Sequence, residues 1–389
     1  MSELLFDSEI LNGVLEGRDM SEGEALELFN TYGKSPQDLF RVSHHLKDKN
    51  KGKIVTFSKK AFFNVVNLCK DTCSYCTYKA EPTEAKLVMM SETEANELIQ
   101  LAKKHRCTEA LFVTGEKPEL RYREANEWLY SMGFKDTTEY LIHLSEKALD
   151  SGLFPHTNAG NLTKKEMNEL KKTNVSMGVM LENASERLTQ KGHPHYLATS
   201  KKPKERIKVL NNAGELGFPI TTGLLIGIGE TIEEIIHSIF VIKEIHEKYG
   251  NIQEIILQNF QPKQDIIMKD QEPANELYFK LIVSLTRLVM PQMNIQIPPN
   301  LSPESYQSFL DIGINDWGGI SPVTPDYVNP EHRWPEIKDV DNLTREAGYE
   351  LGARFPIYPE FFSFLNKNLR EQISKIEDEN GLVKEEYWR

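Results

Sequence analysis

Residues 219–260 read PITTGLLIGIGETIEEIIHSIFVIKEIHEKYGNIQEIILQNF and show one full repeat of the pattern that decides the fold. A short apolar run at 219–230 is followed by a long amphipathic segment at 231–250 and a second apolar run at 251–260. Short apolar runs rich in β-branched residues favour buried strands, whereas apolar residues three or four apart favour a helix. The stretch therefore predicts a strand, a crossover helix and a parallel second strand.

The same alternation recurs along the middle of the chain. Strand patterns at 61–68, 108–116, 154–160, 176–182, 219–230 and 251–260 are each followed by a helical pattern. Residues 294–300, 304–313 and 316–321 fit a seventh strand, its helix and an eighth strand. We therefore predict an α/β fold, a TIM-like (β/α) barrel of six to eight units, in which the loops after the strands build the active site.

Two extensions flank the predicted barrel, which we place at 53–323. Residues 1–52 read as an N-terminal helical extension, because 21–29 and 35–46 each open on a serine that suits a helix N-cap. Residues 47–53, KDKNKGK, are expected to be a solvated connection. The tail at 324–389 is rich in proline and aromatic residues and ends in a charged helix, so we expect it to pack on the barrel.

Composition sets limits on partners and location. The chain has 389 residues, of which 39% are hydrophobic and 27% charged, as in ordinary globular proteins. No secretory signal and no run of about 20 apolar residues is evident, so we expect a cytoplasmic protein away from the membrane. A net charge of -12 repels a phosphate backbone and counts against nucleic acid as a partner.

Three of the four cysteines lie in NLCKDTCSYC, residues 67–76, directly after the first predicted strand. Thiolates of Cys69, Cys73 and Cys76 can hold three irons of a [4Fe-4S] cluster and leave the fourth iron open. A structural zinc site is the main alternative, but zinc needs four ligands, and His105 and Cys107 are about thirty residues away. Unligated thiols that cluster by coincidence are a further alternative.

The C-x3-C-x2-C spacing, with Tyr75 just before the last cysteine, resembles the signature of the radical S-adenosylmethionine (SAM) superfamily. The resemblance implies that the open iron binds the amino and carboxylate groups of SAM. It also implies that an electron from the cluster splits SAM to a 5'-deoxyadenosyl radical. Cys107, which opens the second strand pattern, is expected to be a small buried residue instead.

Further segments resemble the SAM-binding elements of this superfamily. TGEKPE at 114–119 is similar to the GGE segment, so Glu116 is expected to face the methionine ammonium group. GLLIGIGE at 223–230 resembles the GxIxGxxE element, whose glycines let the backbone approach a flat adenine. The predicted residues of this element are Gly223, Gly227 and Glu230. A solvated glutamate and a plain strand turn are the alternatives.

Two more SAM contacts are implied by resemblance to the biotin-synthase-like branch of the superfamily. Glu182, in MLENASERL, would reach the ribose or methionine end of SAM, and Arg206, in PKERI, would pair with its carboxylate. Charged residues at helix starts are often solvated, which is the alternative for both.

Five segments, 152–160, 176–188, 220–231, 252–260 and 314–335, together resemble the CofG-type family, the small subunit of 7,8-didemethyl-8-hydroxy-5-deazariboflavin (FO) synthase. The resemblance extends over 53–359, and 314–335 is its most discriminating segment. The chain departs from the family pattern at Ala159, where proline is expected, and at Arg333. Both departures put substrate detail, rather than reaction type, in doubt.

The resemblance implies a reaction and a partner. A companion CofH-type radical enzyme would join a hydroxybenzyl fragment of tyrosine to a ribitylaminouracil. This chain would take that hydroxybenzyl-ribitylaminouracil adduct, abstract a hydrogen atom, close the central ring and release ammonia; the electron donor is not implied. Rival functions are the CofH-type coupling reaction itself, a menaquinone-pathway radical enzyme, and a zinc-stabilised binding module.

Polar residues at predicted strand ends are the candidates for substrate contact. An imidazole or carboxylate there can move protons during ammonia loss, and amides suit the edge of a uracil ring. A structural hydrogen bond is the alternative role for each of them. These candidates are His156, Asn158, Gln258, Asn259 and Asp316, the last beside Trp317.

Overall fold

The centre of the fold is a closed parallel barrel, seen in a computed structural model that describes residues 6–389. Strand order runs from β2 to β8 around the barrel, and β1 pairs with both β8 and β2 to close it. This confirms the predicted TIM-like (β/α) barrel. Its strands are β1 (Ile54–Val66), β2 (Glu109–Thr114), β3 (Phe154–Asn158), β4 (Ser176–Gly178), β5 (Ile220–Ile226), β6 (Ile252–Asn259), β7 (Ile295–Gln296) and β8 (Asp316–Ile320).

Twelve α-helices lie within the described residues, and most of them surround the barrel. Helices α1 to α3 precede β1, α4 to α10 connect the strands, and α11 and α12 follow β8. They are α1 (Glu9–Leu15), α2 (Glu22–Tyr32), α3 (Gln37–Lys51), α4 (Glu92–Lys104), α5 (Arg123–Ser131), α6 (Thr137–Asp150), α7 (Lys164–Leu170), α8 (Pro203–Glu215), α9 (Ile232–Tyr249), α10 (Glu276–Val289), α11 (Ile337–Glu346) and α12 (Lys367–Ser374).

Residues 219–260 fold as the sequence predicts, as a strand, a helix and a parallel second strand. All seven residues of β5 are buried, which explains its continuous apolar run. Helix α9 begins at a capping box formed by Thr231 and Glu234 and ends at Gly250, whose φ of 67° is left-handed. Strand β6 then pairs in parallel with β5, with Gly223 opposite Ile256. Because β5 and β6 are parallel, their C-terminal ends lie on the same side of the barrel, and so do the loops that follow them.

Several local expectations differ from the structure. Helix α3 begins at Gln37 with Pro36 at its N-cap, so Ser35 does not cap it. The expected solvated connection at 47–53 is largely the end of α3, where Lys47 is buried with Nζ 3.3 Å from the Tyr349 ring centroid. The helix expected at 304–313 is a 3-10 helix, Tyr306–Ile312, with Tyr306 and Phe309 buried.

The C-terminal segment contributes a strand that the sequence did not predict. Strand β9 (Glu350–Arg354) pairs in parallel with the first half of β1, from Ile54 opposite Glu350 to Ser58 opposite Arg354. Strand β2 pairs with the second half of β1, from Lys60 onward. The end of β9 and the chain after it reach the barrel interior, where Arg354 and Pro356 line the central cavity.

No helix between residues 6 and 389 has the length and apolar character that a bilayer span requires.

Candidate active site

A cavity of about 350 Å³ in the barrel is lined by strand ends and by the loops that follow them. It brings together ten of the residues that the sequence singled out. These are Cys69, Cys73, Tyr75, Cys76, Glu116, His156, Asn158, Glu182, Arg206 and Gln258. Five others do not line it: Gly223, Gly227, Glu230, Asn259 and Asp316.

The cysteine loop follows β1 and is tied to the turn after β2. The backbone N–H of Lys70 donates to the Glu116 carbonyl oxygen at 2.8 Å. In return, the backbone N–H of Glu116 donates to Sγ of Cys69 at 3.2 Å. A hydrogen bond of this kind to a sulfur is one way in which a protein tunes a cluster ligand. The TGE turn therefore positions the first thiol.

A second loop, residues 193–201, holds the other side of the cysteine loop. The N–H of Thr72 donates to the Leu197 carbonyl at 2.9 Å, and that of Ser74 donates to the Pro194 carbonyl at 3.0 Å. The buried carboxylate of Asp71 accepts hydrogen bonds from the backbone and the hydroxyl of Ser200. The sequence analysis missed this loop, because no spacing motif marks it.

The chemistry of the three thiols fits cluster ligands. All four cysteines are free, and the three of the loop are half-buried in the cavity wall. Burial raises the pKa of Cys69 to about 11 and also raises that of Cys73, where the neighbouring thiols add to the effect. Thiolates here therefore need a bound cation, which the irons of a cluster supply. Within residues 6–389, no three His, Cys, Asp or Glu side chains converge on a single-ion site.

Glu182, Lys201 and Arg206 form a charged group in the cavity wall. Oε1 of Glu182 accepts from Lys201 Nζ at 2.5 Å, while its buried Oε2 has no partner among the described residues. Burial acts to raise the pKa of Glu182, but Lys201 and the more distant His195 and Arg206 together lower it below the ordinary value. Arg206 is buried, and its Nε donates to the Ser200 carbonyl at 3.0 Å. One carboxylate beside two cations suits a zwitterion such as an amino acid group.

Glu116 projects into the same cavity from the end of β2. Its Oε2 accepts the Asn161 N–H at 2.9 Å. Gly160, with φ of 69°, makes room for the carboxylate, because a Cβ there would lie 2.9 Å from Cδ of Glu116. Glycine is therefore required at position 160 both by its backbone and by Glu116.

Tyr75 has a partner that the sequence did not indicate. Its hydroxyl lies 3.0 Å from Nε2 of His195. Burial lowers the pKa of His195 to about 3, so the imidazole is neutral and can accept the tyrosine proton at Nε2. The pair fixes the aromatic residue that stands before Cys76.

His156 and Asn158 lie within β3 and not after it, and Ser176 on β4 completes a chain of polar contacts. Nδ1 of His156 lies 2.6 Å from the Ser176 hydroxyl, and Nε2 lies 3.0 Å from Oδ1 of Asn158. Burial lowers the pKa of His156. Gly178 gives the pair its space, because a Cβ there would lie 3.0 Å from Nε2 of His156 and 2.9 Å from Cγ of Asn158.

A buried ionic group closes the barrel beneath the cavity. Nη2 of Arg354 donates to Glu254 at 2.9 Å and to Asp316 at 3.0 Å, and the Tyr358 hydroxyl also donates to Glu254 at 3.0 Å. Burial raises the pKa of Glu254 to about 7, although Arg354 opposes this shift. Sequence reasoning missed Glu254 and Arg354, which come from β6 and the unpredicted β9.

This arrangement corrects the expected position of Asp316. Asp316 is the first residue of β8, as the strand pattern at 316–321 predicts, but it is fully buried against Arg354 and Thr56 at the closed end instead of facing the cavity. Asn259 is also turned away, because its Nδ2 donates to the Ala274 carbonyl at 3.1 Å. Their placement gives neither residue access to the cavity, whereas Gln258 lines it.

Gly223 of the GLLIGIGE element lies against a neighbouring strand. A Cβ on it would lie 2.8 Å from backbone atoms of Ile256, so the close pairing of β5 and β6 requires glycine here. Glu230 binds its own turn, where its carboxylate accepts the N–H groups of Gly227 at 2.6 Å and Ile228 at 2.8 Å. Roles for these residues in SAM binding stay predictions.

Comparisons with known proteins agree with the fold and the site. The Radical SAM superfamily model matches residues 63–242. The chain is 43% identical over 334 residues to the 7,8-didemethyl-8-hydroxy-5-deazariboflavin synthase of Methanopyrus kandleri, which covers 85% of this chain and 100% of that protein. It is 42% identical over 368 residues to the synthase of the same name from Methanocaldococcus jannaschii, with coverage of 94% and 100%.

Solved structures with low sequence identity share the fold. Methylornithine synthase (PylB) has a TM-score of 0.69 at 17% identity, covering 88% of this chain and 97% of its own. The FeFe-hydrogenase maturase HydG from Carboxydothermus hydrogenoformans has a TM-score of 0.70 at 19% identity, covering 98% and 86%. These likenesses support the fold alone.

The relatives confirm the resemblance read from the sequence, and the family's cofactors fit the cavity. The cysteines match the C-x3-C-x2-C pattern of a [4Fe-4S] cluster, which favours the cluster over the zinc alternative. The charges of Glu182, Lys201 and Arg206 in the cavity wall are compatible with the amino acid end of SAM, and their contact with SAM stays a prediction. The chain therefore belongs to the family of 7,8-didemethyl-8-hydroxy-5-deazariboflavin synthases, which are radical SAM enzymes that use a [4Fe-4S] cluster and SAM.

Proposed function

We propose that this chain converts the hydroxybenzyl-ribitylaminouracil adduct to FO by closing the central ring, with release of ammonia. The observation that carries the proposal is the full-length match to FO synthases combined with one cavity that holds both the cysteine loop and a polar barrel interior. When bound, the cluster and SAM supply a 5'-deoxyadenosyl radical that takes a hydrogen atom from substrate.

The chain's own residues have separate tasks in this proposal. Cys69, Cys73 and Cys76 bind the cluster, whereas Glu116, Glu182 and Arg206 bind the amino acid end of SAM. His156, Asn158 and Gln258 contact the substrate deeper in the barrel. Burial of the cavity excludes water, which protects a reactive carbon radical. These nine assignments, and that of Tyr75 as a support for the cysteine loop, rest on shared lining of one cavity.

His156 is the proposed proton carrier during ammonia loss. Its lowered pKa keeps the imidazole neutral, so one ring nitrogen is free to accept a proton. The Ser176 hydroxyl donates to the Pro356 carbonyl, which leaves its oxygen as an acceptor for Nδ1–H of His156. Nε2 is then the atom that accepts a proton from substrate, and with the Asn158 amide flipped its N–H donates a hydrogen bond to Nε2 in the resting site.

We also propose that the adduct comes from a CofH-type companion enzyme and that both act in a reducing cytoplasm. Four free cysteines, three of them facing a cavity, suit a reducing compartment.

The decisive experiment supplies anaerobically reconstituted protein with one of two substrate sets. One set is the preformed adduct with SAM, and the other is tyrosine, diaminouracil and SAM. Mass spectrometry for FO and an assay for ammonia are expected to be positive only with the adduct. Coupling of tyrosine to the uracil would instead assign the CofH-type reaction. No deoxyadenosine with either set would contradict both radical functions.

A further inference from the structure

The segment DWGGIS, within the most discriminating stretch of the sequence, contains two adjacent glycines whose role the proposed function does not use. Gly318 has φ of 74°, and a Cβ on it would lie 2.5 Å from Cδ of Gln296. A Cβ on Gly319 would lie 2.8 Å from Nζ of Lys60. Strand β8 lies between β7 and β1, which carry these two polar residues. The glycine pair therefore clears space for one polar side chain on each neighbouring strand.

Lys60 is a buried cation without a direct partner. It is 8% exposed, lines the cavity, and makes no hydrogen bond or ion pair within residues 6–389. Its Nζ lies 4.5 Å from the centroid of the Trp334 ring, which stabilises the ammonium through a cation–π contact. Burial lowers the pKa of Lys60. Burying an unpaired ammonium is costly, so an absent acceptor is indicated.

The acidic groups around Lys60 are already engaged elsewhere. Glu109 accepts from Ser58, Glu254 pairs with Arg354, and Asp326 accepts from Asn300. Each raises the pKa of Lys60 from a distance, while Arg354 lowers it. None is an ion-pair partner of Nζ within the described part of the chain. The missing acceptor is therefore expected to belong to a ligand.

Gln296 supplies the complementary hydrogen-bonding groups. It is 6% exposed and lines the same cavity, and its side-chain amide makes no hydrogen bond to residues 6–389. A primary amide offers a carbonyl acceptor beside an N–H donor. The Gln296 amide can therefore form two hydrogen bonds with a ligand edge that presents O=C–N–H. The Lys60 ammonium can donate to a second carbonyl oxygen of the same ligand.

We propose that Lys60 and Gln296 bind the dioxopyrimidine ring of the substrate through its carbonyl and imide groups. The inference rests on the proposed function, because it takes the adduct as the ligand. The hydroxyphenyl ring of the same adduct has one polar atom and does not match both side chains. Lys60 and Gln296 therefore place the pyrimidine end at this side of the barrel.

The experiment measures binding of two fragments to reconstituted protein by anaerobic equilibrium dialysis. The probes are 5,6-diaminouracil and 4-methylphenol. Lys60→Met and Gln296→Glu are each expected to raise the Kd for diaminouracil about tenfold or more, because each removes or reverses a hydrogen bond to a carbonyl oxygen. The Kd for 4-methylphenol is expected to stay unchanged.

Lys59→Met is the matched control. Lys59 is the neighbouring residue of β1, and its Nζ donates to the Trp388 carbonyl at 2.8 Å, outside the cavity. This variant should bind both probes as the wild-type chain does. Deoxyadenosine formation without adduct, driven by a chemical reductant, verifies that each variant is folded and holds its cluster.

The opposite results are equally clear. Four outcomes would overturn the inference. Both cavity variants could bind diaminouracil as tightly as the wild-type chain does, or they could lose affinity for 4-methylphenol instead. The other two outcomes are an equal loss of affinity for both probes and a wild-type chain that does not bind diaminouracil. The proposed function is assayed separately by FO formation from the adduct. A wild-type chain that forms FO while the two variants bind diaminouracil normally would refute the subsite alone.

Discussion

A Cβ atom on Gly115 would lie 2.7 Å from the carbonyl carbon of Leu68 and 2.8 Å from Cα of Cys69. The turn after β2 and the cysteine loop thus touch through backbone at this point. Gly115→Ala must push the two segments apart, so we expect the variant to lose iron on anaerobic reconstitution. Iron and sulfide per chain, with the visible cluster absorbance, give the measurement.

Gly23→Ala is the matched control for that substitution. Gly23 lies exposed in α2 with no atom within 4 Å of an added Cβ. Alanine there should keep full iron content and stabilise the helix by about 1 kcal/mol. Wild-type iron content in Gly115→Ala would show that the loop tolerates the displacement.

The cysteine assignment predicts a sharp difference between two thiols. Cys73→Ala should abolish both the cluster and deoxyadenosine formation, because Cys73 lines the cavity as one of three ligands. Cys107→Ala should keep both, because buried Cys107 donates only to the Lys60 carbonyl at 3.5 Å. Iron analysis and a deoxyadenosine assay on both variants decide the matter. Cluster retention in Cys73→Ala would remove it from the ligand set.

The sequence could predict the barrel and the cysteines because both depend on local pattern. The spacing of apolar residues that distinguishes strands from helices is visible in consecutive residues. Three cysteines within eight positions are also close in space whatever the tertiary structure. The position of Glu116 also followed from its turn. Of the polar residues predicted at strand ends, His156 and Gln258 line the cavity, and their roles stay predictions.

Other parts of the site depend on contacts between distant segments. His195 and Ser200 contact Tyr75 and Asp71 of the cysteine loop from residues 193–201. Lys201, at the end of the 3-10 helix Thr199–Lys201 in that segment, contacts Glu182. Arg354 lies in β9, whose pairing with β1 has no local signal. Asp316 begins β8 as the sequence predicts, but the sequence does not show that a carboxylate at this strand start lies away from the cavity. Its role became visible only with Arg354 beside it.

Glu182 predicts a specific effect on SAM affinity. Its φ of 63° is left-handed, and its lowered pKa keeps the carboxylate charged at neutral pH. Glu182→Gln removes one charge-assisted hydrogen bond, which is worth about 1.5–3 kcal/mol. We therefore expect SAM binding to weaken by about tenfold or more, with the cluster retained.

Equilibrium dialysis with SAM on the reconstituted variant makes this measurement. Glu186→Gln, in the same loop but exposed, is the control and should bind SAM normally. An unchanged Kd in Glu182→Gln would exclude Glu182 from the SAM site.

His156 predicts a separation of two activities. His156→Ala should slow FO formation from the adduct while SAM cleavage continues, because His156 lies with Asn158 and Ser176 and not at the cysteine loop. Turnover and deoxyadenosine are measured in the same reaction. Equal turnover in variant and wild-type protein would rule out an essential role, and a parallel loss of deoxyadenosine would place His156 in the SAM site.

The ionic group beneath the cavity predicts how stability depends on pH. Glu254 has a pKa of about 7 in the folded chain against an ordinary value of 4.5, and burial is the main cause. Because the folded state binds this proton more tightly than the unfolded state, Glu254 favours folding below its ordinary pKa. That contribution is lost as the pH rises through the folded pKa. The melting temperature of Glu254→Gln minus that of the wild-type chain should therefore be greater at high pH than at low pH.

Arg354→Met removes the cation from the same ionic group. It leaves the buried carboxylates of Glu254 and Asp316 without their shared cation and should cost about 3–5 kcal/mol, as removal of one partner from a buried ion pair does. Adding Glu254→Gln to it should recover part of that loss, because one buried charge disappears. Melting temperatures of the cluster-free proteins at acid and alkaline pH provide the comparison, with exposed Glu346→Gln as the control. Additive effects of the two substitutions would mean that Arg354 and Glu254 do not stabilise each other, despite the 2.9 Å contact between them.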